Sequence, residues 1–304
     1  MSGFDSSADL DDEQATALES LLLRLADDEF VLAERYTEWQ VRAPSLESDL
    51  ALSNNAQDEL GHARLWYDVL EDLGHEEHEL IYERDPDEWR HSTLTERPFD
   101  EGDWADVVLR HYLYDVAEQL RLESLAESSY AKIADRVGKV RSEEQYHREH
   151  AESWMERLAD GDEGHERLQN AVDRLFPHAL TLFEVAAPTS GTGDASGDEP
   201  RAVDDDLEET IVEAGFRDAS LEALRAEWLS IVVPYLEDLD LETPVSEIVH
   251  YDDYDLEVPD DTLPEALGRD GTHTDAWAKL HEEFTHTYRE LERSEATTIM
   301  AHPE

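Results

Sequence analysis

The sequence predicts an all-α chain built on a bundle of four long helices, with additional helices toward the C-terminus. Apolar residues recur at three- and four-residue spacing through four stretches of roughly 25–30 residues within the first 160 positions. Capping residues and helix stops punctuate those stretches, and no segment shows a convincing two-residue alternation. Long helices joined by short connections bury their apolar stripes most simply against one another, as a bundle.

The first helix runs from Asp11 to about Val41, with Leu18, Leu21, Leu22, Leu25, Phe30 and Leu32 on its apolar face, and Pro44 ends it. Ser45 then serves as N-cap for a second helix that reaches Gly74, a natural stop. Residues 75–102 carry Pro86, Pro98 and Gly102 with broken periodicity, so they form a long connection with room for a crossover and a short helix. Asp103 caps a third helix over 104–130, a fourth follows through about 138–160 to Gly161, and a fifth covers His165 to Val185. Beyond it, 206–230 reads as helical, 231–272 as irregular with Pro234, Pro244, Pro259 and Pro264, and 273–293 as a last helix. The expected organisation is a disordered N-terminal extension (1–12), the bundle (13–187), an acidic flexible linker (188–206) and a helical extension packed on the bundle (207–304).

At 304 residues the chain can bury one large core or two modest ones. Its 78 acidic and 24 basic residues leave a formal charge of −54, which excludes sequence-independent nucleic-acid binding and attachment to anionic membranes. Only three of the cations are lysines (Lys132, Lys139, Lys279), a composition in the style of salt-in halophiles. Seven tryptophans and 39% hydrophobic residues argue against disorder. Without cysteine, disulfides, thiolate zinc sites, Fe–S clusters and cysteine nucleophiles are excluded, so any metal must sit on histidine and carboxylate. There is no apolar run of membrane-spanning length and no signal-peptide pattern at the N-terminus, so the expected location is the cytoplasm.

Two Glu-x-x-His pairs lie inside predicted helices, Glu59–His62 and Glu144–His147. At i, i+3 each pair presents one oxygen and one nitrogen from the same helical face. The motif alone is weak, because this composition supplies about two by chance and the chain holds five. Glu88–His91, Glu247–His250 and Glu283–His286 read as coincidences of a solvated surface. What sets the helical pairs apart is an upstream carboxylate at matched spacing: Glu29 lies 30 residues before Glu59, and Asp115 lies 29 before Glu144. In antiparallel helix pairs those arc lengths bring each upstream acid level with its downstream glutamate. The set is that of a ferritin-like dimetal bundle, and its hard oxygens with one imidazole per ion suit two Fe, or Mn. Glu118 and Glu143 are the available substitutes for Asp115 and Glu144.

At these residues the sequence resembles the phenylacetic acid catabolic family, the ferritin-like subunits of a multicomponent phenylacetyl-CoA ring 1,2-epoxidase. The likeness covers roughly 20–293. EWQVRAPSLESDLALSN, DELGHAR, WADVVLRHYLYD, EEQYHREHAESWMERLADG and GRDGTHT look like the C-type component, which is a structural partner lacking most metal ligands. DELGH and EEQYH, however, look like the metal motifs of the catalytic A-type component. The resemblance implies a di-iron monooxygenase component with Glu29, Glu59, Asp115 and Glu144 as catalytic ligands and His62 and His147 completing the metal set. It implies as partners an A-type component, small subunits and a flavin/Fe–S reductase, with phenylacetyl-CoA as substrate. A structural scaffold of the same complex and a stand-alone ferritin-like oxidase or iron-handling protein stay open as alternatives. Trp39, Trp66, Trp228 and Trp277, on the first two helices and in the later part of the chain, offer apolar anchors for partner contacts.

Self-repulsion at −54 is screened over about 10 Å at 0.1 M salt and about 3 Å at 1 M. The melting temperature should therefore climb between those concentrations of KCl; an unchanged value in calorimetry would count against halophilic adaptation.

Overall fold

The computed structural model describes residues 3–185, 200–250 and 253–291. Four helices form the bundle: α1 (Asp12–Thr37), α2 (Leu46–Glu71), α4 (Trp104–Leu125) and α5 (Ala131–Ala159), with a single-turn α3 (Thr93–Glu96) in the connection between α2 and α4. α1 packs along α2, α4 along α5, and α2 meets α5. α6 (Asp162–Leu180) lies against α4 and α5, α7 (Pro200–Glu213) against α1, and α8 (Leu221–Asp238) against α4. A hairpin of β1 (Ser246–His250) and β2 (Asp253–Glu257) precedes α9 (Asp275–Glu290), which packs on the α2–α4 connection. No helix among the described residues is long and apolar enough to cross a membrane.

The expected caps do their work. Asp11, Ser45 and Asp103 accept hydrogen bonds from the backbone N–H groups of Gln14, Ser48 and Ala105, satisfying donors with no partner within the helix. Gly74, at φ +101°, ends α2: its N–H donates to Glu71 O and that of His75 to Leu70 O, the paired closure that a left-handed residue permits.

Several expectations are corrected. α1 stops at Thr37 rather than near Val41, and Val41 stands exposed in the turn that follows. α5 starts at Ala131, because Gly138 lies in open space on the helix and costs only about 1 kcal/mol there. Pro234 does not end α8: burial of Trp228, Leu229, Val232, Val233 and Leu236 outweighs the lost hydrogen bond, each such side chain contributing roughly 1.5–3 kcal/mol. The antiparallel hairpin pairs Ser246 with Glu257 and His250 with Asp253. Its acidic residues have low strand propensity, and Pro244 and Pro259, which read as breakers, flank it. α7 opens at Pro200, inside the stretch expected as linker, and residues 186–199 lie outside the described residues. The N-terminal segment docks: Phe4 N–H donates to Ser129 O, Phe4 O accepts from Ala131 N–H, and its ring meets Phe216. Trp66, Trp228 and Trp277 are core residues, at most 1% exposed, and Trp39 is buried, so none is an anchor for a partner.

Glu88 is exposed and does not meet His91, so the Glu88–His91 pair is a coincidence, but His91 itself is not a surface residue. His91 is fully buried, and Glu96 accepts hydrogen bonds from His91 Nε2 (2.7 Å), His273 Nδ1 (2.8 Å) and Thr274 N–H (2.6 Å). This clasp ties the start of α9 to the α2–α4 connection. Glu283 and His286 are exposed as expected, and the side chains of Glu247 and His250 lie outside the described residues. Just before the clasp, Gly268 and Gly271 take φ +82° and +83°, and a Cβ on Gly268 would sit 2.0 Å from His91 O. That close approach drives Arg269 inward to Asp28 (2.6 Å), which also accepts from Arg121 (2.6 Å) and Ser92 N–H (2.7 Å).

Removing the acid from this network leaves buried Arg269 without its carboxylate and Arg121 with Glu118 alone. Asp28→Ala should lower unfolding free energy by about 3–5 kcal/mol in a denaturant titration in molar salt, and a loss below about 1 kcal/mol would mean the network is not what holds the C-terminal segment in place.

Candidate metal centre

α1 supplies Glu29, α2 supplies Glu59 and His62, α4 supplies Asp115, and α5 supplies Glu144 and His147; none is more than 2% exposed. Along α2 the lower apolar cluster begins at Ala63 and the upper one ends at Ala56; along α5 they end at Val140 and begin at Ala151. The two Glu-x-x-His pairs therefore occupy a polar layer that divides the core in two.

Within the layer, His62 Nδ1 lies 3.3 Å from Glu144 Oε1, 3.7 Å from Glu59 Oε2 and 3.8 Å from Glu29 Oε2. His147 Nδ1 lies 3.6 Å from Glu144 Oε1 and 3.8 Å from Glu59 Oε1. Glu59 thus turns one oxygen to each imidazole, and Glu144 sits between the two, the placement of bridging carboxylates. Glu29 belongs to the His62 side. Asp115 belongs to the other, because its Oδ2 is 3.6 Å from Nε2 of His111, whose ring is 5.6 Å from that of His147. Behind each imidazole an acid faces Nε2: Glu143 at 2.8 Å from His62 and Asp58 at 3.2 Å from His147. That bond puts the ring proton on Nε2 and turns the Nδ1 lone pair to the centre, the arrangement that supports metal-binding histidines.

Both oxygens of Glu29, Glu59, Asp115 and Glu144, and Nδ1 of both histidines, are buried without a hydrogen-bond partner. Leaving a buried polar atom unpaired costs about 1–3 kcal/mol, and more when it is charged. Eight oxygens and two nitrogens aimed at one another require positive charge among them, and a pair of divalent cations fits the donor set. The substitutes have other partners. Glu143 holds His62 from behind, and Glu118 faces Arg121 at 2.5 Å. A pocket of about 500 Å³ between α4 and α5, with Gln119, Arg141 and Arg148 on its walls, reaches Glu144 from outside.

Sequence reasoning missed His111 and Asn55, both buried, whose Nε2 and Nδ2 lie 2.8 Å apart. The available signal was the position of His111 one turn before Asp115 on the same face.

Burial, together with the charges of Glu29 and Glu144, pushes the Glu59 carboxyl well up, and burial with the charges of Glu144 and Glu29 does the same to Asp115. Glu118 rises to about 8 through burial, even beside Arg121. Burial also opposes charge on Glu144, but the facing imidazoles of His147 and His62 outweigh it and hold the group at about 2. His62 and His147 are raised: burial lowers them, and the facing carboxylates, Glu144 first, more than reverse that.

Every raised group binds its proton more tightly folded than unfolded, and for Glu118 the loss runs from about 4.5, its ordinary value, to about 8. Glu144 runs the other way below that window, and His91, His111 and His178, which burial holds below the ordinary imidazole value of 6.5, run the other way in its lower part, so metal-free stability should fall as pH climbs through the upper part, above about 6.5. Denaturation of chelated protein at pH 7 and pH 8 in constant salt checks this; Glu118→Gln should reduce the slope, and a divalent ion should flatten it while displacing protons. A flat profile without metal would contradict the assignment of these shifts.

Residues 1–295 match the family model described as phenylacetic acid catabolic protein. The C component of the 1,2-phenylacetyl-CoA epoxidase of Escherichia coli (strain K12) is 34% identical over 170 residues, covering 55% of this chain and 68% of that protein. The A component of the same epoxidase is 29% identical over 146 residues, covering 48% of this chain and 47% of that protein. With the family model spanning nearly the whole sequence, the chain belongs to the phenylacetic acid catabolic protein family.

Proposed function

We propose that the chain is one component of a phenylacetyl-CoA ring 1,2-epoxidase in aerobic phenylacetate catabolism, and that it holds a carboxylate-bridged di-iron centre, with manganese as the other ion the donors suit. The observation that carries this reading is the set of unpartnered carboxylate oxygens and imidazole nitrogens contributed by four helices to one buried layer. Glu59 and Glu144 would bridge, Glu29 and His62 would hold one ion, and Asp115 and His147 the other. Two irons bound there would supply O₂ activation.

The protein's own groups do the rest. Asp58 and Glu143 accept the Nε2 protons and fix both imidazole rings. Apolar residues on either side of the layer exclude water from it. The pocket beside Glu144 offers an approach, and Arg141 and Arg148 on its wall are suited to an anionic group of the substrate. Ring epoxidation places one oxygen atom of O₂ in the product and reduces the other to water with two electrons and two protons. With no cysteine for an Fe–S cluster and no dinucleotide-binding motif in this sequence, those electrons call for a separate flavin/Fe–S reductase, so the chain works in a hetero-oligomer with an A-type component and small subunits.

The identity to a C component favours a second reading, a scaffold of the same complex. Metal analysis of protein from iron-replete cells should give about two ions per chain, and Glu59→Ala should abolish both metal binding and turnover of phenylacetyl-CoA in the reconstituted complex while leaving assembly intact. Full turnover by a complex containing the metal-free variant would favour the scaffold. Absence of any partner on purification in high salt would favour a self-sufficient oxidase.

A further inference from the structure

Two overlapping groups of donors meet at Glu59. In one, an atom each from Glu29, Glu59 and His62 lies within 4.8 Å of the others; in the second, the same holds for Glu59, His111 and His147. Ligand atoms bonded to one ion at about 2.1 Å can stand up to roughly 4.2 Å apart, so either group needs only a small contraction to close on a cation. The groups are chemically unequal. The first offers two carboxylates and one imidazole, the second one carboxylate and two imidazoles.

His111 is fitted for this. It is 2% exposed, and its Nε2 is the atom turned toward Asp115 Oδ2, at 3.6 Å. The Asn55 amide lies 2.8 Å from the same nitrogen, a bond that its N–H₂ can donate only to an unprotonated Nε2. Nε2 thus carries a lone pair at the edge of the centre, with Asn55 as competitor for it.

Resting on the dimetal reading above, we propose that the two metal positions are inequivalent, His111 being a third histidine ligand that makes the Asp115–His147 position richer in nitrogen than the Glu29–His62 position. Imidazole favours later first-row divalent ions such as Co²⁺, whereas carboxylate favours earlier, harder ones such as Mn²⁺. The nitrogen-rich position therefore fills first with cobalt, and its selectivity differs from that of its neighbour.

Cobalt(II) titration of the chelated full-length chain in molar KCl, followed by visible absorption, tests this. The wild-type chain should take two equivalents, the first at least tenfold tighter and with its own absorption band. His111→Phe should lose the tight phase and its band, whereas His62→Phe should lose the weak one. Asn55→Ala, which leaves His111 in place and removes the competing amide, should tighten the first equivalent several-fold. A His111→Phe variant that keeps the tight phase and its band overturns the proposal, since a histidine that only packs against Asp115 would leave that band unmoved. Should that variant not fold, an unchanged first equivalent in Asn55→Ala overturns it instead. Failure of the wild-type chain to take up cobalt at all removes the dimetal reading itself, whereas two equal equivalents remove only the inequivalence.

Discussion

Three consecutive acids on α1, Asp27, Asp28 and Glu29, are all buried, and the rest of the structure is organised around that constraint. Successive helical side chains point about 100° apart, so the three cannot share one solution. Asp27 accepts from Tyr67 Oη (3.0 Å), from both terminal nitrogens of Arg84 and from Arg90 N–H (2.8 Å). Asp28 is held by Arg121, Arg269 and Ser92, while Glu29 faces the polar layer of the candidate metal centre. To satisfy the first two, α1 must be covered by the α2–α4 connection on one side and by α4 and the turn before α9 on another. A helix with acids on three faces is thereby enclosed rather than left amphipathic. Such networks give little net stability compared with apolar packing, but a wrong register would leave unpaired charge in the interior, and that penalty selects one arrangement.

Glu29 links this scaffold to the chemistry. It differs from its two neighbours in that both its oxygens are buried without a hydrogen-bond partner, which is also true of Glu59, Asp115 and Glu144. The fold thus separates two classes of buried acid: those neutralised by arginine, which fix geometry, and those left for an external charge. Glu118 lies at the boundary, close to Arg121 and yet fully buried inside the field of Glu29 and Glu144, so that burial first and those charges second hold its proton up to about 8.

Much of this was legible in the sequence, for identifiable reasons. The helices of the bundle and the caps at Asp11, Ser45 and Asp103 follow from local periodicity and side-chain chemistry, which tertiary contacts did not override. The six expected donors lie in one layer because helical rise is fixed, so equal arc lengths place residues level across an antiparallel pair. What escaped depended on contacts between residues far apart in sequence. His91 resembles any surface histidine until Glu96 and His273 close on it, and Pro234 resembles a helix end until Trp228 and Val232 bury the face around it. His111 stands in no Glu-x-x-His motif, and only the approach of α2 and α5 to α4 reveals its position. The hairpin was hidden because its pairing partners are acidic and its flanks are prolines.

The distribution of cations carries the argument from the interior to the surface. Arg24, Arg35, Arg110, Arg121, Arg217 and Arg269 are buried, so the few positive charges of the chain lie disproportionately inside, and its outer surface is more uniformly acidic than the composition suggests. Arg24 and Arg217 both close on Glu208, joining α1, α7 and the turn before α8. The surface cations Arg141 and Arg148 then gain weight from scarcity, because they stand on the wall of the pocket that reaches Glu144. In the proposed function, an anionic substrate would be repelled over most of the surface and would meet two guanidiniums, paired with Glu123 and Glu152, in the pocket beside Glu144. Long-range repulsion with a local attraction selects a direction of approach, and molar salt, which shortens the reach of the first to about 3 Å, preserves the contact-range part of the second.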